Sequence, residues 1–422
     1  MPSKLLKSGR ALDFDRQPNR LTLLRKIYRL LLNTGRTYAA FTDEQRKLVK
    51  LLSIRGEILD PMSGYGSVTR YCADNGVRSY CIEYNLPQFL WQLLFKPGLA
   101  RVFIRACDSI LRQRSRWPKS TAIAVSSDNW FPPTSESMLI RLFQQINLVL
   151  TNDVRSEKQL LLYSAALLLP FVGRLSCSVP ADIVTNVKKG GICVYKGWEE
   201  DYETYLVALI HSIESAVKNV HEYQHTLRHG DARTIKLPGR RFSAFLTSPP
   251  YPNHRDFVSM FAPEHAFLDL IRIPGNVTSR KASVDIIGSN FVAGRPSVPP
   301  VTKAAKRFLK AIDSVPRNST AIRHDKQYYF PYFEHYFTDL ENAFSNIERS
   351  LHKNVEGFIV VVNNTHRNIV VPVSDTVIEI WRDLGYKATI YDSNEYFHVG
   401  TKNPRARGLR ARHTEYVIRV SR

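Results

Sequence analysis

Short runs of apolar residues alternate along the chain with longer amphipathic segments. The runs GEILD (56–60) and SYCIEY (79–84) predict two β-strands, with a glycine turn and a helix between them. Further strands are predicted at residues 229–232, 242–246, 357–362, 387–393 and 414–421, and helices at 21–32, 41–54 and 374–386. Because strands that alternate with helices favour a parallel sheet, the predicted fold class is α/β with one wound, mostly parallel sheet.

Two intervals are too long for a minimal sheet of this kind. Glu83 and Asp231 are 148 positions apart, and Tyr251 and Glu356 are 105 apart, whereas a strand–helix–strand unit takes about 30 residues. Two large insertions are therefore expected. The predicted organisation is a basic helical segment (1–50), a first core segment (51–99), a mainly helical insertion (100–205), a second core segment (206–270), a basic insertion (271–330) and a C-terminal core segment (331–422).

The chain carries 59 Lys and Arg against 38 Asp and Glu, a formal net charge of +21. Such an excess indicates a polyanionic partner, usually a nucleic acid. The insertion 271–330 has eleven basic residues and three acidic ones, and residues 401–422 add seven basic residues against one Glu. Since phosphate contacts require cations, 271–330 is the first candidate for a region that contacts the phosphates of such a partner.

Cysteine usage and hydropathy indicate the compartment. The five cysteines are scattered without a C-x-x-C pair, which favours reduced thiols over disulfides or a zinc ribbon. No apolar run approaches 18 residues, so no membrane span is predicted. Asp13 and Asp15 stand where a signal peptide would need apolar residues. A cytoplasmic location is expected.

Two segments carry candidate chemistry, and each directly follows a predicted strand. In DPMSGYGS (60–67), glycines allow a sharp turn and a close approach to a ligand, and Glu83 at the end of the second strand can accept hydrogen bonds from ribose hydroxyls. In TSPPY (247–251), the two prolines fix the backbone and the nearby carbonyls, while the serine adds an acceptor and the tyrosine a flat face. The second segment suits a planar heterocycle with an exocyclic amino group.

Together these segments resemble the amino-methyltransferase family of DNA-modifying enzymes. DPMSGYGS is similar to that family's motif for S-adenosylmethionine and TSPPY to its catalytic motif, whose serine form is typical of the cytosine-N4 branch. His229-Gly230-Asp231 resembles the family's Gly-Asp strand end beside the cofactor's adenine, and the predicted strand, helix and closing strand of the tail fit as well. The resemblance implies a Rossmann-like wound methyltransferase sheet with two large insertions.

The resemblance also implies a site and a reaction. The cofactor, S-adenosylmethionine, would be held by residues from both halves of the core, with Glu83 and Asp231 best supported for direct hydrogen bonds. These residues are Asp60, Met62, Gly64, Gly66, Glu83 and Asp231. The catalytic residues would be Ser248, Pro249, Pro250 and Tyr251, acting without a metal on a base flipped out of double-stranded DNA. With a DNA substrate, the basic insertion 271–330 would be the candidate target-recognition region. A restriction endonuclease is the implied functional partner.

Alternative functions remain open. Adenine N6 and RNA bases pose the same chemical problem as cytosine N4, and a catalytically silent DNA-binding protein could share the scaffold. A further motif, His221-Glu222-Tyr223-Gln224-His225, matches the H-E-x-x-H pattern of zinc peptidases if it is helical. Since no peptidase context surrounds it, it is interpreted as a polar helix face.

Overall fold

The structure is a computed structural model, in which part of the chain is described. The described residues are 43–117, 124–125, 131, 133–175, 178–180, 185–187, 192–193, 198–217, 225–252, 258, 261–273, 284–289, 292, 294–314, 325–366, 369–399 and 410–422. The helix predicted at 21–32 lies outside them, as does much of the basic insertion.

Helices and strands alternate over most of the described chain. The helices are α1 (Asp43–Ser53), α2 (Ser67–Asp74), α3 (Leu86–Leu94), α4 (Ala100–Arg112), α5 (Pro133–Leu150), α6 (Glu157–Leu175), α7 (Trp198–Val217), α8 (Ala262–Leu270), α9 (Lys303–Asp313), α10 (Phe330–Glu348, preceded by a π-helical turn at Asp325–Tyr329) and α11 (Val373–Asp383). The strands are β1 (Ile58–Asp60), β2 (Ser79–Glu83), β3 (Ala124–Val125), β4 (Ser178–Pro180), β5 (Thr185–Val187), β6 (Ile192–Cys193), β7 (His225–His229), β8 (Phe242–Thr247), β9 (Leu351–Asn363), β10 (Thr365–His366), β11 (Ile369–Val370), β12 (Lys387–Val399) and β13 (Arg410–Ser421).

Seven of these strands form the central sheet, in the order β7-β2-β1-β8-β9-β13-β12. Neighbours from β7 to β9 are parallel, whereas β13 is antiparallel to both β9 and β12. The chain first builds outward from β1 to β7 and then resumes with β8 on the other side of β1. The direction of winding therefore reverses between β1 and β8. The predicted α/β class with a mostly parallel wound sheet is confirmed.

Helices cover both faces of the sheet because its inner strands are apolar on both sides. Ile58, Ala244 and Phe358 pack on one face with α1 and α2. Their chain neighbours Leu59 and Phe245 point to the other face, against α9, α10 and α11. This alternation follows from the two-residue period of a strand.

A third core lies among α3 to α8, next to the edge strand β7. Tyr202 is fully buried against Phe171, with their ring centroids 5.0 Å apart. Leu227 of β7 packs against this group, which joins the helical layer to the sheet. Three of these helices, α4 to α6, fall within the interval 100–205. No described helix is long and apolar enough to span a bilayer.

Most predicted strands are found, but the one at residues 229–232 was wrong. Strand β7 covers His225–His229, and Asp231 already lies in a turn, where its carbonyl accepts from the N–H groups of Thr234 and Ile235. The sequence HTLRH has little apolar alternation because β7 is an edge strand with an exposed end. The usual strand signal is therefore weak here.

The same strand corrects the interpretation of the H-E-x-x-H segment as a helix face. Residues 221–224 lie outside the described chain, but His225 begins β7, and its Nδ1 lies 2.7 Å from Ser79 Oγ. Burial lowers the pKa of His225 to about 4. Among the described residues, no group of His, Cys, Asp and Glu is arranged to bind a metal ion. Cys72, Cys81 and Cys107 are buried free thiols.

Candidate functional site

The two candidate segments flank the point where the sheet reverses its winding. β1 pairs with β8 in parallel, with Leu59 opposite Phe245. The loop after β1 and the loop after β8 therefore leave the same edge of the sheet from adjacent strands. In open α/β sheets this crevice, at the carboxyl ends of the strands, is where ligands bind.

The loop after β1, here called the glycine loop (residues 61–66), requires glycine at two positions. Gly64 and Gly66 have φ angles of +55° and +76°, which other residues rarely adopt. A Cβ atom on Gly66 would come within 2.7 Å of the side chain of Gln92. The loop therefore lies directly on helix α3.

Gln92 holds the glycine loop in place. Its Nε2 donates to Ser63 Oγ at 2.8 Å and to the carbonyl of Gly64 at 2.9 Å. Ser63 is tied in turn to β2, because its backbone N–H donates to the carbonyl of Ile82 at 3.0 Å. The sequence motif did not identify Gln92, which lies 28 residues beyond Gly64.

Glu83 lies at the end of β2 and faces the glycine loop. Its Oε2 accepts the Gly64 N–H at 2.6 Å, and its Oε1 accepts the Asn85 N–H at 2.7 Å. Burial raises the pKa of Glu83 to about 8, against the lowering effect of these N–H donors. The carboxyl group is thus oriented by backbone donors on both sides but poorly hydrated.

Asp60 is a second buried carboxyl group in the same crevice. Burial raises its pKa to about 7, although the Met62 N–H and the Thr247 hydroxyl both lower it. Thr247 Oγ1 lies near this carboxyl group without a hydrogen bond of good geometry. Asp60 also raises the pKa of Glu83. Met62 itself is half-buried and packs against the core between the sheet and helices α9 to α11.

Neither carboxyl group has an ion-pair partner among the described residues, although Asp60 is 2% and Glu83 7% exposed. Two buried carboxyl groups without a counter-charge are costly in their ionised form. A cationic ligand with hydroxyl groups would supply both the counter-charge and the hydrogen-bond donors. The crevice therefore fits a small molecule of that chemistry.

Asp231 follows β7 and is engaged differently from the first two carboxyl groups. Both its oxygens accept from Arg233, with Nη2 2.6 Å from Oδ2. Arg233 Nη1 also donates to Asp339 Oδ1 of α10 at 2.7 Å, and Nη2 contacts the carbonyl of Asp285. Asp231 thus stands at the crevice in a salt bridge, and its direct contact with a cofactor stays a prediction.

The basic insertion contributes to this ion-pair network. Arg295 Nη2 donates to both oxygens of Asp339, at 3.0 and 3.1 Å. Asp339 is buried, so the two arginines balance a carboxylate that water barely reaches. At least this cation of the insertion points inward and stabilises the fold.

The turn after β8, here called the Pro-Pro turn (residues 248–251), presents polar atoms held by defined contacts. Ser248 Oγ and Tyr251 Oη are 2.8 Å apart. Tyr336 of α10 donates from its hydroxyl to the carbonyl of Pro250 at 3.0 Å. Tyr336 is fully buried and also packs near Gly288, so it holds the Pro-Pro turn against the protein interior. The sequence motifs did not identify Tyr336.

Between the glycine loop and Asp231, an aromatic residue lines the crevice. Tyr84 packs against Val258 and Ile286. Burial, together with Asp285 and Asp231, raises the pKa of Tyr84 to about 12, so the phenol stays neutral. Its carbonyl lies 2.8 Å from His229 Nε2. This apolar patch beside polar groups suits a flat heterocycle.

The chain matches no protein-family model, and no curated protein matches it.

Proposed function

We propose that this chain is a site-specific DNA methyltransferase that transfers a methyl group from S-adenosylmethionine to N4 of cytosine in duplex DNA. One observation carries the proposal. The glycine loop and the Pro-Pro turn, about 180 residues apart in sequence, follow adjacent strands on the two sides of the winding reversal. A donor and an acceptor bound at these two loops would meet in one crevice.

The donor half of the crevice has the right chemistry for this cofactor. Asp60 and Glu83 are buried carboxyl groups that gain from a positive ligand, and Glu83 can accept hydrogen bonds from ribose hydroxyls. Tyr84, Val258 and Ile286 offer an apolar surface to adenine. When bound, S-adenosylmethionine supplies an electrophilic methyl group on a sulfonium.

The acceptor half suits an exocyclic amine. The nitrogen of such an amine is a poor nucleophile because its lone pair is delocalised into the ring. Hydrogen bonds from its N–H groups to Ser248 Oγ and to the Pro249 carbonyl would favour a pyramidal nitrogen with a localised lone pair. When Ser248 donates its own proton to Tyr251 Oη, the lone pairs of Oγ are left for the amine.

The remaining contacts of the Pro-Pro turn support this geometry. Tyr336 donates to the Pro250 carbonyl and so anchors the turn that carries the Pro249 carbonyl. Tyr251 would stack on a base that has been flipped out of the duplex. The net charge of +21 agrees with a DNA partner, and a DNA substrate agrees with a cytoplasmic location. Functional pairing with a restriction endonuclease is part of the proposal by resemblance alone.

Adenine N6 is the nearest alternative acceptor because its amine poses the same chemical problem, and only the identity of Ser248 favours cytosine. RNA is a second alternative, since the Pro-Pro turn would contact the flipped base and not the helix that carried it. A silent DNA-binding protein is the alternative outside enzymes. The intact Pro-Pro turn together with the intact glycine loop argues against that last possibility.

Mass spectrometry of nucleosides tests the proposal directly. Plasmid from cells expressing the protein should contain N4-methylcytosine above a vector control. N6-methyladenine instead would keep the enzyme and overturn the interpretation of Ser248. If neither methylated nucleoside is detected, RNA methylation or a silent DNA-binding protein becomes the preferred assignment.

Two variants of Tyr251 separate base stacking from the rest of the chemistry. Tyr251→Ala should abolish methylation while leaving binding of S-adenosylmethionine unchanged, since the ring is lost from the acceptor half only. Tyr251→Phe keeps the ring and loses only the hydroxyl bonded to Ser248, so it should retain part of the activity. Wild-type activity in Tyr251→Ala would show that the base binds elsewhere.

A further inference from the structure

The last two strands form a ribbon that is longer than the sheet beside it. β12 and β13 pair along their whole length, from Lys387 opposite Ser421 to Val399 opposite Arg410. β13 pairs with β9 only from Thr414 onward. Among the described strands, Tyr396–Val399 and Arg410–His413 therefore pair only with each other. These eight residues are here called the projecting ribbon.

The direction of the projecting ribbon follows from the strand register. Thr414 lies opposite Asn363, the last residue of β9, so the ribbon continues past the carboxyl edge of the sheet. Asp60 and Glu83 end their strands at this same edge, and the Pro-Pro turn follows β8 there. At about 3.3 Å per residue, four residue pairs extend roughly 13 Å beyond β9.

The projecting ribbon is also close to the Pro-Pro turn across the sheet. Only β9 separates β8 from β13, which at about 4.8 Å per strand spacing is roughly 10 Å. β9 already runs beyond the end of β8, since Thr247 lies opposite Ile359 and β9 continues to Asn363. One helical turn of DNA is about 34 Å long, so a duplex bound at the Pro-Pro turn can reach both elements.

The segment that joins the two strands of the projecting ribbon, together with the start of β13, is basic in sequence, although residues 400–409 lie outside the described chain. Residues 400–413 contain five Lys and Arg and no acidic residue: Lys402, Arg405, Arg407, Arg410 and Arg412. Of these, Arg410 and Arg412 belong to β13, in register with Val399 and Phe397. A two-stranded ribbon fits the major groove of B-DNA, which is about 12 Å wide. The positive charge that the sequence places here would also attract backbone phosphates.

We infer that the projecting ribbon is a DNA-binding element that contacts the duplex beside the flipped base. The inference rests on the proposed function for its partner, double-stranded DNA. The projecting ribbon would be a second basic DNA-binding region, separate from the insertion 271–330. In that insertion Arg295 forms an ion pair with the buried Asp339 and so stabilises the fold. Arg307 and Lys310 of α9 are exposed and remain candidates for contact with DNA.

The salt dependence of DNA binding tests the inference with the full chain. The probe is a fluorescein-labelled duplex oligonucleotide of random sequence, titrated at a series of KCl concentrations. In Arg410→Gln/Arg412→Gln, the slope of log affinity against log salt should fall in magnitude by about 2, because each lost phosphate contact removes about 0.9. Circular dichroism and the melting temperature show whether the variant is folded.

Two matched double variants complete the experiment. Arg101→Gln/Arg112→Gln removes the same net charge from α4 and should leave the slope unchanged. Arg307→Gln/Lys310→Gln tests α9 in the basic insertion. An unchanged slope in the ribbon variant, or an equal loss in the α4 variant, would overturn the inference.

Methylation is measured separately with the same proteins, so that two failures can be told apart. A slope change without any methyl transfer by the wild type would support the ribbon as a DNA-binding element and refute the proposed function. Methyl transfer with an unchanged slope would refute the ribbon and keep the function. Wild-type protein that binds a structured RNA but not the duplex would overturn both.

Discussion

Tyr336 and Pro250 are joined by a hydrogen bond of 3.0 Å that connects α10 to the Pro-Pro turn. Tyr336 is fully buried, and its donor satisfies a carbonyl that two consecutive prolines keep rigid. Neighbouring peptides of the turn share this rigidity. The orientation of the Pro249 carbonyl therefore depends indirectly on a helix that contributes no atom to the proposed reaction.

The first prediction concerns Tyr336→Phe. Loss of the hydroxyl leaves the Pro250 carbonyl without this donor, which costs about 1–3 kcal/mol of stability for a buried group. The turn should become less well oriented, so kcat for methyl transfer should fall about tenfold or more while the Kd for S-adenosylmethionine stays constant. Single-turnover kinetics and calorimetry measure the two quantities.

Tyr332→Phe is the control for Tyr336→Phe because it removes the same group from the same buried side of α10, one turn earlier. Tyr332→Phe should alter the free energy of unfolding but leave kcat for methyl transfer close to that of the wild type. Equal kinetic effects of the two variants would mean that α10 acts only through general packing.

The second prediction concerns Gly66→Ala in the glycine loop. The new Cβ would meet the Gln92 side chain at 2.7 Å and would strain a backbone with φ of +76°. Movement of Gln92 would break its bonds to Ser63 and Gly64. We expect weaker cofactor binding together with a stability loss of about 1–3 kcal/mol.

Gly56→Ala separates the two causes of that loss. Gly56 has φ of +113°, yet a Cβ there would meet no atom within 4 Å. This control carries backbone strain without a clash and should destabilise the chain while leaving the Kd of S-adenosylmethionine unchanged. If Gly66→Ala bound the cofactor normally, the glycine loop would not be the cofactor site.

The strands were predictable to different degrees from the sequence. β8 and β9 are rich in apolar residues and are buried on both faces, so the local pattern alone located them. β7 was misplaced because its edge position allows the polar sequence HTLRH. The pairing of β1 with β8 depends on contacts between distant segments, which no local pattern contains.

The site was predictable only where a residue lies within a motif. Glu83 ends a strand that the sequence predicts and Ser248 comes shortly after another, so the motifs named both as candidates. Gln92 and Tyr336 act over 28 and 86 residues of sequence, and each belongs to a helix whose pattern indicates only packing. Arg295 was counted as part of a basic surface, although its partner Asp339 is buried. Net charge cannot distinguish these two uses of an arginine.

The third prediction concerns Arg233, which is mostly buried between Asp231 and Asp339. Arg233→Met leaves Asp231 without its partner and Asp339 with Arg295 alone. Breaking a buried pair typically costs about 3–5 kcal/mol, so urea denaturation should reveal a large loss of stability. Arg105→Met is the control, because Arg105 pairs with Asp153 at an exposed site and should cost at most about 1 kcal/mol.

The last prediction is a pH dependence of the cofactor site. In the folded, ligand-free chain the pKa of Glu83 is raised to about 8 and that of Asp60 to about 7, mainly by burial. In the unfolded chain both groups lose their protons near their ordinary values of about 4. Between these limits the folded state binds more protons, so stability should fall as the pH rises from about 5 to 8.

Cofactor binding should show the opposite trend. A sulfonium cation favours the ionised carboxyl groups, so binding should release protons and the Kd should fall as the pH rises. For each carboxyl group, the Kd can fall by at most about tenfold per pH unit, and only at pH values below the pKa of that group. Glu83→Gln should remove the step near pH 8 and leave that of Asp60 near pH 7. Calorimetry in buffers of different ionisation enthalpy counts the protons released, and an affinity independent of pH from 6 to 9 would mean that these carboxyl groups do not face the cofactor.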